Sequence, residues 1–213
     1  MVALLFAVSL SSSLQAPPTA DRPPTSLSQL HAAAVAVFDA AVSKNWSVAS
    51  ERMKTVDDAI AALPPRVGAP DLVHQLKGRV QTTRRAVRSH QAIPAATNAN
   101  WIARLADEMS SSYEAIVPAD ARLLAFFGRA IEVDAKGHRD RVKADLADLR
   151  TVWGRVEPMV LQRHGAAVAR QFGDNLAQLD GAVRNGRLAQ AAAAEVSTSE
   201  QVVAALRAAP AAQ

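Results

Sequence analysis

The stretch Trp46–Leu63, WSVASERMKTVDDAIAAL, constrains the fold more than any other part of the chain. Its apolar residues Ala49, Met53, Val56, Ile60 and Leu63 follow a 4-3-4-3 spacing. That spacing keeps them on one stripe of a helix, whereas a strand, with its period of two, would scatter them over both faces. A helix with such a stripe buries it lengthwise against other helices. The same spacing returns 93 residues later at Val142, Leu146, Leu149, Trp153 and Val156. Each seam runs into a proline, Pro64-Pro65 in the first and Pro158 in the second. Beyond the breaks, Leu72, Leu76, Val80, Thr83 and Val87 match Val168, Phe172, Leu176, Leu179 and Val183 at an offset of 96. The tripeptide Ala86-Val87-Arg88 recurs there as Ala182-Val183-Arg184. Seam, proline break, second seam and tripeptide thus return in one order with one small gap, which points to an internal duplication.

The fold class expected is all-α: an antiparallel helical bundle of two similar four-helix repeats of about 95 residues each. The first repeat spans residues 25–116 and the second 117–213. Abundant alanine and only 4% aromatic residues favour helix over sheet. In the first repeat a helix begins at Thr25-Ser26, where Ser26 and Gln29 have capping-box spacing. Asn45 is placed to cap the Trp46 helix, and Asp71 to cap the third. The chain breaks around His90–Pro94, and a fourth helix follows from about Ala95 to Ile116. The second repeat reads as helices over Ala119–Lys136, ended by Gly137, then Arg139–Val156, a third through Val168–Val183, and Leu188–Ala208. A break is expected at Glu157-Pro158.

Residues Val2–Leu14, VALLFAVSLSSSL, are an apolar run followed by Gln15-Ala16 and Pro17-Pro18. They read as the hydrophobic region and cleavage zone of a secretory signal covering residues 1–16. Residues 17–24 then form a Pro-rich linker, and the expected location is periplasmic or secreted. No other segment is apolar enough over a sufficient length to span a bilayer, so a soluble mature protein is expected.

The formal charge of +4 is spread evenly, with ten basic and eight acidic groups in 25–116 and thirteen and eleven in 117–213. Charges so mixed describe a solvated helical surface rather than the concentrated basic face of a nucleic-acid binder, so no nucleic acid is expected as partner. The absence of cysteine excludes disulfides, thiolate metal sites, iron–sulfur clusters and cysteine nucleophiles. No GxSxG, phosphate-binding glycine loop or metal-spaced histidine pair occurs, so no enzyme and no cofactor are expected. The chain carries no family motif. Its closest architectural parallel is with exported, two-bundle helical proteins of the imelysin type, but Gly137-His138-Arg139-Asp140 does not reproduce their GxHxxE signature.

The candidate ligand-binding residues lie in the first repeat. Lys77, Gln81, Arg84 and Arg88 line one face of the third helix, where the second repeat has Gly173, Ala177, Asp180 and Arg184. Such a stripe suits a small anionic ligand, a phospholipid head group or an acidic partner protein, and is compatible with peripheral contact with a membrane. The competing reading is a solvated face. Trp46 and Trp101 follow Asn45 and Asn100 near expected turns, where they either pack the bundle ends or wall a pocket. The function expected is that of an exported, non-enzymatic helical bundle that binds a partner protein, lipid or small ligand in the cell envelope. The alternative is a periplasmic metal- or haem-handling protein. That reading would use His31, His74, His90, His138 and His164 with Met53, Met109 and Met159 at the bundle ends, although the methionines at seam positions read first as core.

Overall fold

The computed structural model describes residues 23–65, 67–113, 117–163, 165–185 and 188–208, all of whose regular structure is helical. The segment 1–16, most of 17–24 and His164 lie outside the described residues. Among the described residues eight helices follow one another: α1 Thr25–Val42, α2 Trp46–Ala61, α3 Pro70–Arg88, α4 Ala92–Ser111, α5 Ala119–Gly137, α6 Arg139–Gln162, α7 Ala166–Asn185 and α8 Leu188–Ala208.

Local chemistry sets most of these boundaries. Asn45 caps α2 as expected, its Oδ1 accepting from the Val48 amide at 3.3 Å. Two other caps differ from expectation, each because a proline starts the helix earlier. Pro24 precedes α1, so Ser26 is drawn into the first turn, is 7% exposed and makes no capping hydrogen bond. Pro70 is the first residue of α3, which leaves Asp71 inside the first turn beside the positive end of the helix dipole. α4 begins at Ala92 and accommodates Pro94 in its first turn, where no intrahelical amide bond is required.

The largest departure is at Pro158, which does not end α6 but sits inside it. The amide bond it removes would have gone to the carbonyl of Gly154, four residues back. Both residues are exposed, so water can satisfy that carbonyl, and a glycine backbone can tilt from the ring. The seam is therefore continuous from Val142 through Val156 to Val160, all buried.

Each half has its own core. Leu27, Leu30, Phe38, Met53, Leu76, Ile102 and Met109 belong to the first, which also takes in Val133 of α5. Leu124, Ile131, Leu149, Trp153, Phe172, Leu179 and Leu206 belong to the second. The neighbours of each helix follow one plan: the first helix of a half packs on its second and fourth, and the third packs on the fourth. The second and third meet only thinly. α4 packs on α5 and joins the halves, so α1, α4, α5 and α8 form a continuous row.

Candidate functional site

The row α1–α4–α5–α8 buries polar side chains where the halves meet, among them Asn100, Arg122 and Arg129. Two positions on α4, Asn100 and Asp107, are seven residues apart, two helical turns on one face. Arg122 and Arg129 repeat that spacing on α5. With the helices antiparallel, the four residues form two rungs. In one, Arg129 Nε donates to Asn100 Oδ1 at 2.9 Å, and Asn100 Nδ2 donates to the Phe126 carbonyl, also at 2.9 Å. In the other, Arg122 Nη1 lies 3.9 Å from Asp107 Oδ1. His31 of α1 brings its Nδ1 to 3.1 Å from the same Asp107 oxygen, though out of line for a hydrogen bond.

Arg129 is the centre of this arrangement. It is 2% exposed, and its Nη1 has no hydrogen-bond partner. Burial pulls its pKa below the ordinary arginine value, against the attraction of Asp107, Glu200, Asp39 and Glu195. The guanidinium stays charged at any ordinary pH. Burial likewise raises the pKa of Asp39 and of Glu132.

Glu195 of α8 is fully buried behind the arginine. Its Oε1 accepts from Ser199 Oγ, while Oε2 has no partner. Burial pushes its pKa up to about 8, against the Ser199 hydrogen bond and the Arg129 charge. Gly128 makes room for this side chain: a Cβ there would stand 1.7 Å from Oε2.

A cleft of about 250 Å³ opens onto this cluster between α1 and α8. His31, Asp107, Arg122, Arg129, Ser199 and Glu200 supply polar groups to its wall, and Leu27 and Val203 supply apolar surface. On the opposite side of the α4–α5 layer, a groove of about 360 Å³ shares Arg129 with the cleft, is also lined by Asn100, and is bounded by α6. Trp101 stands in that groove with the Arg79 and Arg104 guanidiniums 4.7 and 4.6 Å from its ring and Phe126 edge-on at 5.0 Å. Asp145 lines its far wall, its pKa pushed up to about 7 by burial and by a hydrogen bond with Asp134.

The six residues singled out in the sequence do not converge. Lys77, Gln81 and Arg88 lie exposed along α3, and Arg84 is held by Asp57 of α2. Trp46 stacks on His90 with ring centroids 5.0 Å apart, at the end of the first half. Trp101 alone of the six reaches the junction. His74, His90 and His138 are exposed and His31 lies at the junction; no group of three or more His, Cys, Asp or Glu among the described residues could hold a metal ion. Met53 and Met109 are buried in the first core, and Met159 packs against the second. No helix among the described residues is long and apolar enough to cross a membrane. The chain matches no family model, no curated protein and no solved structure.

Sequence reasoning missed Asn100, Asp107, Arg122 and Arg129, yet their signal was present. Two polar residues seven apart on α4 and two arginines seven apart on α5 are complementary once the helices are antiparallel. Glu195 had a signal too, as a lone acid inside the alanine-rich run AAAAEV.

Proposed function

We propose that this is a non-enzymatic binding protein of the cell envelope that holds a small anionic ligand in the cleft between its two halves. The anchor is Arg129, and the observation that carries the reading is that this residue lines a cleft of about 250 Å³ while its guanidinium is buried with Nη1 lacking an acceptor. A buried donor without an acceptor costs about 1–3 kcal/mol, and more when charged. A ligand carboxylate would supply the missing acceptor in a charge-assisted bond. The ligand should carry one negative charge, because the three arginines lining the cleft, Arg122, Arg129 and Arg207, exceed its two carboxylates, Asp107 and Glu200, by one. Leu27 and Val203 can take a small apolar part of it. Assignment to the envelope rests on the apolar run and small-residue zone of residues 2–16.

The test is a thermal-shift and calorimetry screen of small carboxylates against phosphate and uncharged analogues. A monocarboxylate at a hundredfold its Kd should stabilise the protein by about 2.7 kcal/mol and be recovered chemically unchanged. Arg129→Lys should weaken binding by about tenfold or more, since a point charge replaces a fixed fork of donors. Absence of any anion-dependent shift, or equal shifts in wild type and Arg129→Gln, would refute the reading.

A further inference from the structure

At the end of the first half where α1 and α3 stop, two residues adopt a backbone conformation that side chains rarely take. α1 ends in a Schellman motif, with the Asn45 amide bonded to the Ala40 carbonyl at 2.7 Å and Lys44 to Ala41 at 3.1 Å. α3 ends the same way, with Gln91 bonded to Ala86 at 2.9 Å and His90 to Val87 at 3.1 Å. The residue between is normally glycine, because a Cβ is disfavoured at positive φ. Here it is Lys44, at φ 57°, and His90, at φ 54°. They are the only non-glycine residues with positive φ among the described residues, and both line the same cavity.

That cavity measures about 490 Å³. Lys136 of α5 completes its basic rim, and no acidic residue lines it. Its remaining surface is apolar: Val42, Ile93, Pro94 and Val133, with Ala92 and Ala96. The His90 part of the rim is held by Trp46, which stacks on its ring at an interplanar angle of 17°. Glu132 lies 3.9 Å from Lys136 Nζ, one turn back on its own helix. Glycine would meet the backbone demand at both turns, so the long polar side chains of Lys44 and His90 call for another explanation.

From this basic rim above an apolar wall we infer a second binding site, for a single-chain aliphatic carboxylate of medium length. Its head group would sit among Lys44, His90 and Lys136, and its tail against Ile93, Val42 and Val133. None of these residues lines the cleft at Arg129, so the inference stands apart from the function proposed above.

The test is calorimetric titration of the full chain with octanoate, butyrate, octanol and octylammonium below their aggregation concentrations. Octanoate should bind at least tenfold more tightly than octanol or octylammonium. Butyrate should bind about two orders of magnitude more weakly, at roughly fourfold per methylene lost. Lys44→Gly is the informative variant, because it suits the φ of 57° and should leave the melting temperature unchanged or raised while cutting octanoate affinity by about tenfold. Lys136→Met should weaken octanoate binding likewise. The site is disproved if octanol or octylammonium binds as well as octanoate, or if both variants bind octanoate as wild type does. It is equally disproved if octanoate fails to bind at millimolar concentration, even should anionic vesicles capture the protein.

Discussion

The two halves share a plan and differ in what they put into it. In the first half Arg84 of α3 pairs with Asp57 of α2. In the second, Asp180 of α7 pairs with Arg150 of α6, at the positions 96 and 93 residues further on, with the charges exchanged. Arg79 of α3 donates to Asn98 of α4 at 3.0 Å, and 96 residues on from Arg79, Asn175 of α7 donates to Ala194 and Thr198 of α8. Ile60 and Leu76 of the first core correspond to Trp153 and Phe172 of the second, which stack with centroids 4.1 Å apart. The scaffold therefore fixes where helices touch and leaves the chemistry of each touch free. Features with no counterpart in the other half are where function is to be sought. The α1–α4 contact is lined with small residues, among them Ala33, Ala34, Ala99 and Ala103, whereas the α5–α8 contact holds Glu195 over Gly128.

The sharpest way to separate the halves is through their cores. Phe172 is fully buried and stacked, and Phe172→Ala should cost about 3–5 kcal/mol, against about 2–5 kcal/mol for Leu76→Ala. Denaturant unfolding measures each loss, and hydrogen exchange shows which half opens. With separate cores, Phe172→Ala should release α6–α8 while α1–α3 stay protected. Uniform loss of protection would mean that the two cores fold as one unit.

Acidity gives a second separation. Glu195 has a folded-state pKa near 8, above its unfolded value, so the native state binds the extra proton between those values. Its contribution to stability is full at pH 4, declines as pH rises and is lost above about pH 8. The loss is on the order of a few kcal/mol. Asp145 contributes in the same direction up to about pH 7. Glu195→Gln should flatten the stability profile between pH 5 and 8, as read by urea titration at a series of pH values. An unaltered slope would mean that Glu195 is hydrated and titrates normally.

A smaller effect tests the α5–α8 contact itself. Gly128→Ala should destabilise by about 1–3 kcal/mol, because the new Cβ meets Glu195 Oε2 and stands 2.7 Å from Val196 Cγ2. In a Glu195→Ala background most of that cost should vanish, which a double-mutant cycle measures. Additive costs would place the obstruction at Val196 alone.

What could be read in the sequence was whatever repeats along one helix. The seam from Val142 is buried, that from Ala49 is buried through Val56 with Ile60 and Leu63 partly buried against the same core, and Asn45 caps α2 as its side chain dictates. What could not be read depends on a neighbour or on solvent. Pro158 looked like a break because its tolerance rests on an exposed Gly154 carbonyl. Arg84 looked like part of a ligand stripe because Asp57, its partner, lies 27 residues away on another helix. Arg129 drew no reading from the sequence, since only the α4–α5 register carries it to Asn100.

The smallest expected effect bears most directly on the comparison. Exchanging Asp57 and Arg84 would give the first half the ion pair of the second. Both pairs are exposed to water, with side chains 38% and 47% accessible in the first and 45% each in the second. Such a pair is worth only about 0.2–1 kcal/mol. Asp57→Arg alone sets two arginines against each other, and Arg84→Asp alone sets two aspartates, so each single change should cost up to about 1 kcal/mol. The double variant should return to within a few tenths of wild type, and 1 M salt should shrink all three differences because exposed charges are screened. If the double variant instead shows the combined loss of both singles, the contact depends on which helix carries which charge. The matching positions of the two pairs would then be a coincidence of two amphipathic helices rather than one contact made twice.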